Sequence, residues 1–372
     1  MKTLKNFFQK SFWIVLVCFC LVFPASVCAE KPITLRISSG VGDKHAWTAG
    51  HMQPFADRIE QKTNGKVKFH RFVAGELVKA GKSFEALRGG SIDVAAPFLA
   101  PYHAGVFPLT DVTMLPVLNT TTIEAARAFK RLVESDEPLK DGKTFYELEI
   151  ESRGLVAWAL APTDSYIIST TGKRFDSLKD IKGTPLRGGA RAHLIFIEAL
   201  GATPVEMTAM DAYEAFSRGT VDGAVYSIPD WKAYGFTELF KYNITGISLG
   251  HWPSYLAVTK QTWDGLPADV QKIWNETADE MVMENADYWV SLREPTIKEA
   301  KEEYGTVFED IGNLSPEVQE AIFKASVATW KIWIEREEEK GNPAKAAAKL
   351  WARLIVEEGG RLPEGVEAYL AE

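Results

Sequence analysis

The residue types that could do covalent chemistry are present in this chain but never at the spacing that chemistry needs. No His-x-x-x-His or His-Glu-x-x-His pair offers two imidazoles to a metal, no Gly-x-Ser-x-Gly elbow presents a nucleophile, and there is no P-loop. Ser39-Gly40-Val41-Gly42 has two glycines of a dinucleotide fingerprint and lacks the third. The six histidines are scattered, and carboxylates are abundant without a spacing that pairs them. One basic residue stands apart. Arg187 closes Lys182-Gly183-Thr184-Pro185-Leu186 and precedes Gly188-Gly189, so it sits at a strand end beside backbone that carries no side chain. A guanidinium there keeps its charge in a dry cleft and offers a planar fork that matches a carboxylate. Taken alone, an arginine beside a glycine pair is more often a surface residue, so the elements around it must decide.

Those elements come twice. Phe84 to Ala95 (FEALRGGSIDVA) aligns without gaps to Tyr213 to Ala224 (YEAFSRGTVDGA), 129 positions later. Each copy reads as a helix end, a glycine free to take positive φ, and an apolar strand. A unit repeated at this distance predicts two similar α/β lobes, with a ligand cleft between them. Strands are expected at Ile33–Ser38, Val67–Phe72, Gly154–Leu160, Tyr166–Ser169, Pro185–Arg187, Thr203–Met207 and Tyr255–Thr259, alternating with helices in an order that favours a mostly parallel sheet in each lobe. Helical spacing then runs from Pro267 to Tyr304, with a kink expected at Pro295. Further helices follow at Pro316–Lys340 and Pro343–Glu358, held by Trp330, Trp333 and Trp351.

The first residues read as an export signal. Lys2, Lys5 and Lys10 precede the apolar run Phe12 to Phe23, and Val27-Cys28-Ala29 supplies a cleavage site, so the chain is expected to be exported and its mature form to start at Glu30. All three cysteines lie in that leader, which excludes disulfides, thiolate metal sites and cysteine nucleophiles from the rest. Loss of the three leader lysines takes the formal charge from −8 to −11. An acidic chain of this kind is a poor partner for nucleic acid or an anionic membrane, and an anionic ligand needs a local basic group.

The order of motifs adds an identity to this pattern. Asp180-Ile181-Lys182-Gly183-Thr184-Pro185-Leu186-Arg187, then Leu200-Gly201-Ala202-Thr203-Pro204-Val205, Gly219-Thr220-Val221-Asp222-Gly223 and Trp263-Asp264-Gly265-Leu266-Pro267 resemble the solute receptors of tripartite ATP-independent periplasmic (TRAP) transporters, the DctP-type family. Thr63-Asn64-Gly65-Lys66-Val67, Gly75-Glu76-Leu77, Gly90-Ser91-Ile92-Asp93 and Phe107-Pro108-Leu109 agree, so the likeness covers about 33–304. The resemblance implies a two-lobed α/β periplasmic binding protein in which each lobe is a mixed, mostly parallel sheet flanked by helices, with a long helix spanning both and a helical tail. The expected division is a signal peptide at 1–29, lobe I at 30–160 with 253–285, lobe II at 161–252 with 286–310, and C-terminal helices at 311–372.

By the same resemblance Arg187 pairs with a ligand carboxylate, and the receptor is not an enzyme. It closes on its ligand and delivers it to a small and a large membrane subunit. Where the sialic-acid branch of the family has further arginines and an acidic residue, this chain has Ile167, Phe98 and Pro101, and Val225-Tyr226 replaces the Glu-Trp of metal-assisted receptors. Neither sialic acid nor a metal or other cofactor is therefore expected. The ligand expected is a monocarboxylate with a hydrophobic or aromatic body, or a small hydroxy or keto acid. Phe98, Tyr102, Trp158, Tyr166, Tyr226 and Trp231 are the candidate walls, with His45 and Trp47 near the mouth. A C4-dicarboxylate is the alternative and would need a second basic group, Arg191. An exported enzyme on a similar scaffold and the receptor of an ATP-driven importer are the competing classes. A monomer is expected, with a dimer as the alternative.

Overall fold

The structure, a computed structural model, describes residues 31–103 and 105–372; the expected leader lies outside them. Two sheets form. The first has the order β2 (Val67–Phe72), β1 (Ile33–Ser38), β3 (Val94–Phe98), β10 (Ser254–Thr259), β4 (Leu155–Leu160). The second runs β11 (Val307–Asp310), β9 (Tyr242–Thr245), β5 (Tyr166–Thr170), β8 (Gly223–Ser227), β6 (Pro185–Gly188), β7 (Thr203–Glu206). Five of the nine strand pairings are parallel, so both sheets are mixed. The antiparallel pairings come from β10 and β5, the strands through which the chain enters the opposite lobe.

The repeat seen in the sequence is a repeat in space. β3 and β8 begin and end 129 residues apart, and each is parallel to one neighbour and antiparallel to the other. Gly90 and Gly219, the matched helix stops, have φ of 68° and 65°. The order β2-β1-β3-β10-β4 thus maps onto β7-β6-β8-β5-β9. Both central strands are buried along their whole length, as apolar strands covered by helices on both faces must be. Register makes the match residue by residue. Ser38 faces Ala95 as Arg187 faces Ala224, so Ser38 is the counterpart of Arg187 and Gly40 that of Gly189.

The chain crosses between sheets at 161–165 and again at 246–253. The two crossings hold each other, with Thr163 N donating to Trp252 O at 3.1 Å and Trp252 N donating to Thr163 Oγ1 at 3.0 Å. Gly250 has φ of 82°, and a Cβ there would lie 2.3 Å from the Met114 backbone. The long helix Ala268–Tyr304 continues through Pro295 and touches helices of lobe I as well as the 228–230 turn of lobe II. Its Arg293 pairs with the buried Asp164 in the first crossing. The helix Pro316–Glu339 then packs on Arg191–Ala199 of lobe II, and Ala344–Glu357 packs on Thr122–Val133 of lobe I. Trp330, Trp333 and Trp351 are buried in these contacts, and Trp330 Nε1 donates to Pro116 O at 2.8 Å.

Candidate ligand site between the lobes

Arg187, the penultimate residue of strand β6, is buried in the interior at 1% exposure. Its Nε donates to the Met207 carbonyl at 3.0 Å, which fixes the plane of the guanidinium. Nη1 and Nη2 are buried and make no hydrogen bond with the described residues. Two buried donors without acceptors cost about 1–3 kcal/mol each. The Tyr226 ring lies beneath the charge, 5.1 Å from centroid to Cζ. Gly189 is what permits the pose, because a Cβ at that position would fall 2.2 Å from Nη2.

Beside this group, across Tyr226, lies a small cavity of about 20 Å³, room for roughly one water. Lobe I contributes His45, Trp47, Leu99 and Tyr102, and lobe II contributes Tyr166, Ala209, Tyr226, Asp230 and Tyr234, with Thr163 and Trp252 from the crossings. Burial raises the tyrosine hydroxyls of Tyr166, Tyr226 and Tyr234 well above their ordinary range, and the Arg187 charge offsets part of that rise. His193 stacks on Tyr166 at 4.6 Å; burial and the nearby Arg187 lower its pKa to about 3, so it is neutral. The site is an aromatic box with one permanent positive charge set against Tyr226, one of its walls.

Among the residues singled out from sequence, Arg187, Tyr226, Tyr166, Tyr102, His45 and Trp47 come together here. His45 and Trp47 are not at an open mouth: both are buried, and Trp47 Nε1 donates to Ala161 O at 2.8 Å in the first crossing. Four others lie elsewhere. Phe98 packs inside lobe I among Phe84, His103 and Phe107. Trp231 packs against Phe240 and Phe308 in the core of lobe II. Trp158 lies against Trp263 on the outer side of lobe I, its Nε1 donating to Asn275 Oδ1 at 2.9 Å. Arg191 pairs across the lobes with the buried Asp111 at 2.6 Å and is not available to a second carboxylate in this arrangement.

Residues the sequence did not flag are Asp230, Tyr234 and Trp252, together with Leu99, Thr163 and Ala209. Asp230 had a usable signal. It lies in the short turn after β8, the counterpart of the turn after β3 that carries Tyr102, so extending the repeat past the strands would have reached it. Several larger depressions exist, the two most voluminous of them about 810 Å³ beside Trp158 and about 1230 Å³ along Pro316–Glu339. Both are open grooves, and neither is lined by a buried polar group lacking a partner.

Comparison with known proteins agrees with this architecture. The model of the bacterial extracellular solute-binding protein family 7 (DctP) matches residues 37–337. A solute-binding protein of Albidiferax ferrireducens is 25% identical over 61% of this chain and 64% of its own length. The C4-dicarboxylate-binding periplasmic protein DctP of Rhodobacter capsulatus is 25% identical over 65% of this chain and 69% of its own. Among solved structures, a marine metagenome TRAP solute-binding protein specific for aromatic acid ligands, in complex with 3-hydroxybenzoate, is similar at a TM-score of 0.75 and 21% identity, covering 89% of this chain and 100% of that one. A TRAP solute-binding protein from Rhodoferax ferrireducens with copurified benzoate has a TM-score of 0.71 and 21% identity, over 88% and 98%. The family match spans most of the sequence and the folds coincide: the chain belongs to the bacterial extracellular solute-binding protein family 7.

Proposed function

We propose that this protein is a periplasmic receptor of a TRAP transporter that captures an organic acid anion, a monocarboxylate with an aromatic body, and hands it to a small and a large membrane subunit. The observation that carries the reading is Arg187, buried with two unused donors against a tyrosine-lined cavity between two lobes. A carboxylate accepting from Nη1 and Nη2 would satisfy both at once, and the tyrosine and tryptophan faces would cover a ring. The cavity holds about 20 Å³, so a ligand of that size enters only as the lobes part and the aromatic side chains move. Similarity to receptors described with 3-hydroxybenzoate and benzoate points to the same class of ligand. The C4-dicarboxylate alternative lacks a free second cation, since Arg191 is held by Asp111.

Thermal-shift screening of organic acids, followed by calorimetry, tests this. Aromatic monocarboxylates are expected to raise the melting temperature, and Arg187→Ala is expected to abolish that rise while circular dichroism stays unchanged. Stabilisation by C4-dicarboxylates alone, or equal affinity in Arg187→Ala, would remove the reading. Export predicts that the mature protein isolated from the periplasm starts at Glu30, which mass spectrometry reads directly.

A further inference from the structure

Asp230 is a buried carboxyl on the cavity lining. It is 3% exposed and stands on the turn Ile228–Asp230 that leaves β8. Its polar partner among the described residues is His45 Nε2, at 3.0 Å and from the opposite lobe. The tautomer of that histidine follows from its other nitrogen. Nδ1 accepts from Trp47 N at 3.2 Å, so in the neutral ring the proton is on Nε2, the nitrogen that lies 3.0 Å from Asp230 Oδ1. A carboxylate can accept about four hydrogen bonds, and Oδ1 of Asp230 is buried with no well-aligned donor among the described residues, His45 Nε2 lying at contact distance. The remaining acceptor capacity belongs to a group that lines the cavity together with Tyr102, Tyr166, Tyr226 and Tyr234.

Arg187, behind Tyr226, and Asp230, on the cavity lining, thus give the site two unlike groups among its aromatic side chains. The first demands an anion. The second demands a hydrogen-bond donor and repels a second anion, because like charges in a dry site are strongly unfavourable. We propose that Asp230, oriented by His45, is a specificity-determining residue that accepts a hydrogen bond from a hydroxyl or amino group on the far end of the ligand and rejects a second carboxylate there. This deepens the monocarboxylate reading and rests on it. His45 acts through Asp230 and is a positioning residue.

The test is calorimetry on the full mature chain with four probes: benzoate, 3-hydroxybenzoate, 4-hydroxybenzoate and isophthalate. The wild type is expected to bind the better hydroxybenzoate about 10- to 100-fold more tightly than benzoate, the range of a charge-assisted hydrogen bond. Isophthalate is expected to bind more weakly than benzoate. In Asp230→Asn the preference for the hydroxyl shrinks about tenfold and the penalty on isophthalate disappears, and His45→Gln shifts the same two ratios in the same direction. A wild type that does not distinguish hydroxybenzoates from benzoate overturns the proposal without any variant, and so does an Asp230→Asn protein that keeps both wild-type ratios. If all four probes bind the wild type equally and Arg187→Ala loses all four, the anchor stands and only the role of Asp230 falls. If none binds, the aromatic monocarboxylate reading falls and takes this inference with it.

Discussion

Glu149 in lobe I and Arg187 in lobe II are equally buried, and the molecule treats their charges differently. Glu149 accepts from Thr110 N and Thr110 Oγ1, both at 2.8 Å, deep under the first sheet. Arg187 has one partner, the Met207 carbonyl, and two nitrogens with none. The contrast sharpens at equivalent positions, because the lobe I counterpart of Arg187 is Ser38, a small neutral residue in the same register of the same sheet topology. A buried ionisable group with its hydrogen bonds met inside the fold, as Glu149 has, is part of the scaffold. One left open carries a cost that a ligand carboxylate would offset, which is the usual relation between binding sites and stability.

The largest break of this comparison is at Arg187 itself. Arg187→Leu is expected to weaken ligand binding by about 100-fold or more, yet to raise the melting temperature of the ligand-free protein, since an unsatisfied buried cation is removed. Ser38→Ala is expected to change affinity by less than about threefold. Parallel calorimetry and thermal melts check both, and a ligand-free Arg187→Leu protein that melts well below wild type would mean the cation is structural.

Glu149 gives the next effect, on stability versus pH. Burial outweighs its hydrogen bonds and pushes the carboxyl from 4.5 up to about 7. The unfolded chain releases this proton near 4.5 and the folded chain near 7, so between those values the folded state binds more protons. Stability contributed by this group is therefore highest below 4.5 and falls as pH rises toward 7, by about 2–3 kcal/mol. Asp111, raised to about 6 by burial despite its pairing with Arg191, adds a slope of the same sign over a lower window. Urea unfolding between pH 4.5 and 7.5 should show a shallower fall in Glu149→Gln. An unchanged slope in that variant would assign the pH dependence to other groups.

The matched glycines give the smallest and most selective contrast. A Cβ on Gly189 would meet the Arg187 guanidinium, the far end of a side chain, whereas one on Gly40 would lie 2.5 Å from the Ala80 backbone. Gly189→Ala is expected to cost affinity, about tenfold, by displacing the anchor, with little change in stability. Gly40→Ala is expected to cost stability, about 1–3 kcal/mol, because backbone must move. If both variants lose only stability, the two positions serve packing alike and the lobes are less specialised than their registers suggest.

Much of the scaffold was legible before any coordinates. The 129-residue repeat placed β3 and β8 at the same offset, because a helix stop followed by an apolar strand is local information. The helix Ala268–Tyr304 followed from its long periodic run. The strands β9 and β11 were missed, being four residues each with no clear alternation. Arg187 could be singled out because the glycines that admit its side chain are its neighbours in sequence. The aromatic walls could not be sorted the same way. Trp158, Trp231 and Phe98 have the burial pattern of pocket residues, and only the packing of distant segments shows that they face other cores. Arg191 illustrates the same limit, since its partner Asp111 lies 80 positions away and on the other lobe.

The tail helices Pro316–Glu339 and Ala344–Glu357 sit on different halves of the molecule and touch each other across the short turn between them. Any parting of the halves must therefore slide that joint or lift one helix from its seat. If the halves part on binding, the tail would act as an external brace on that motion. Substitutions at the joint, remote from every atom that meets the solute, would then retune apparent affinity by altering how much of the population is competent to bind.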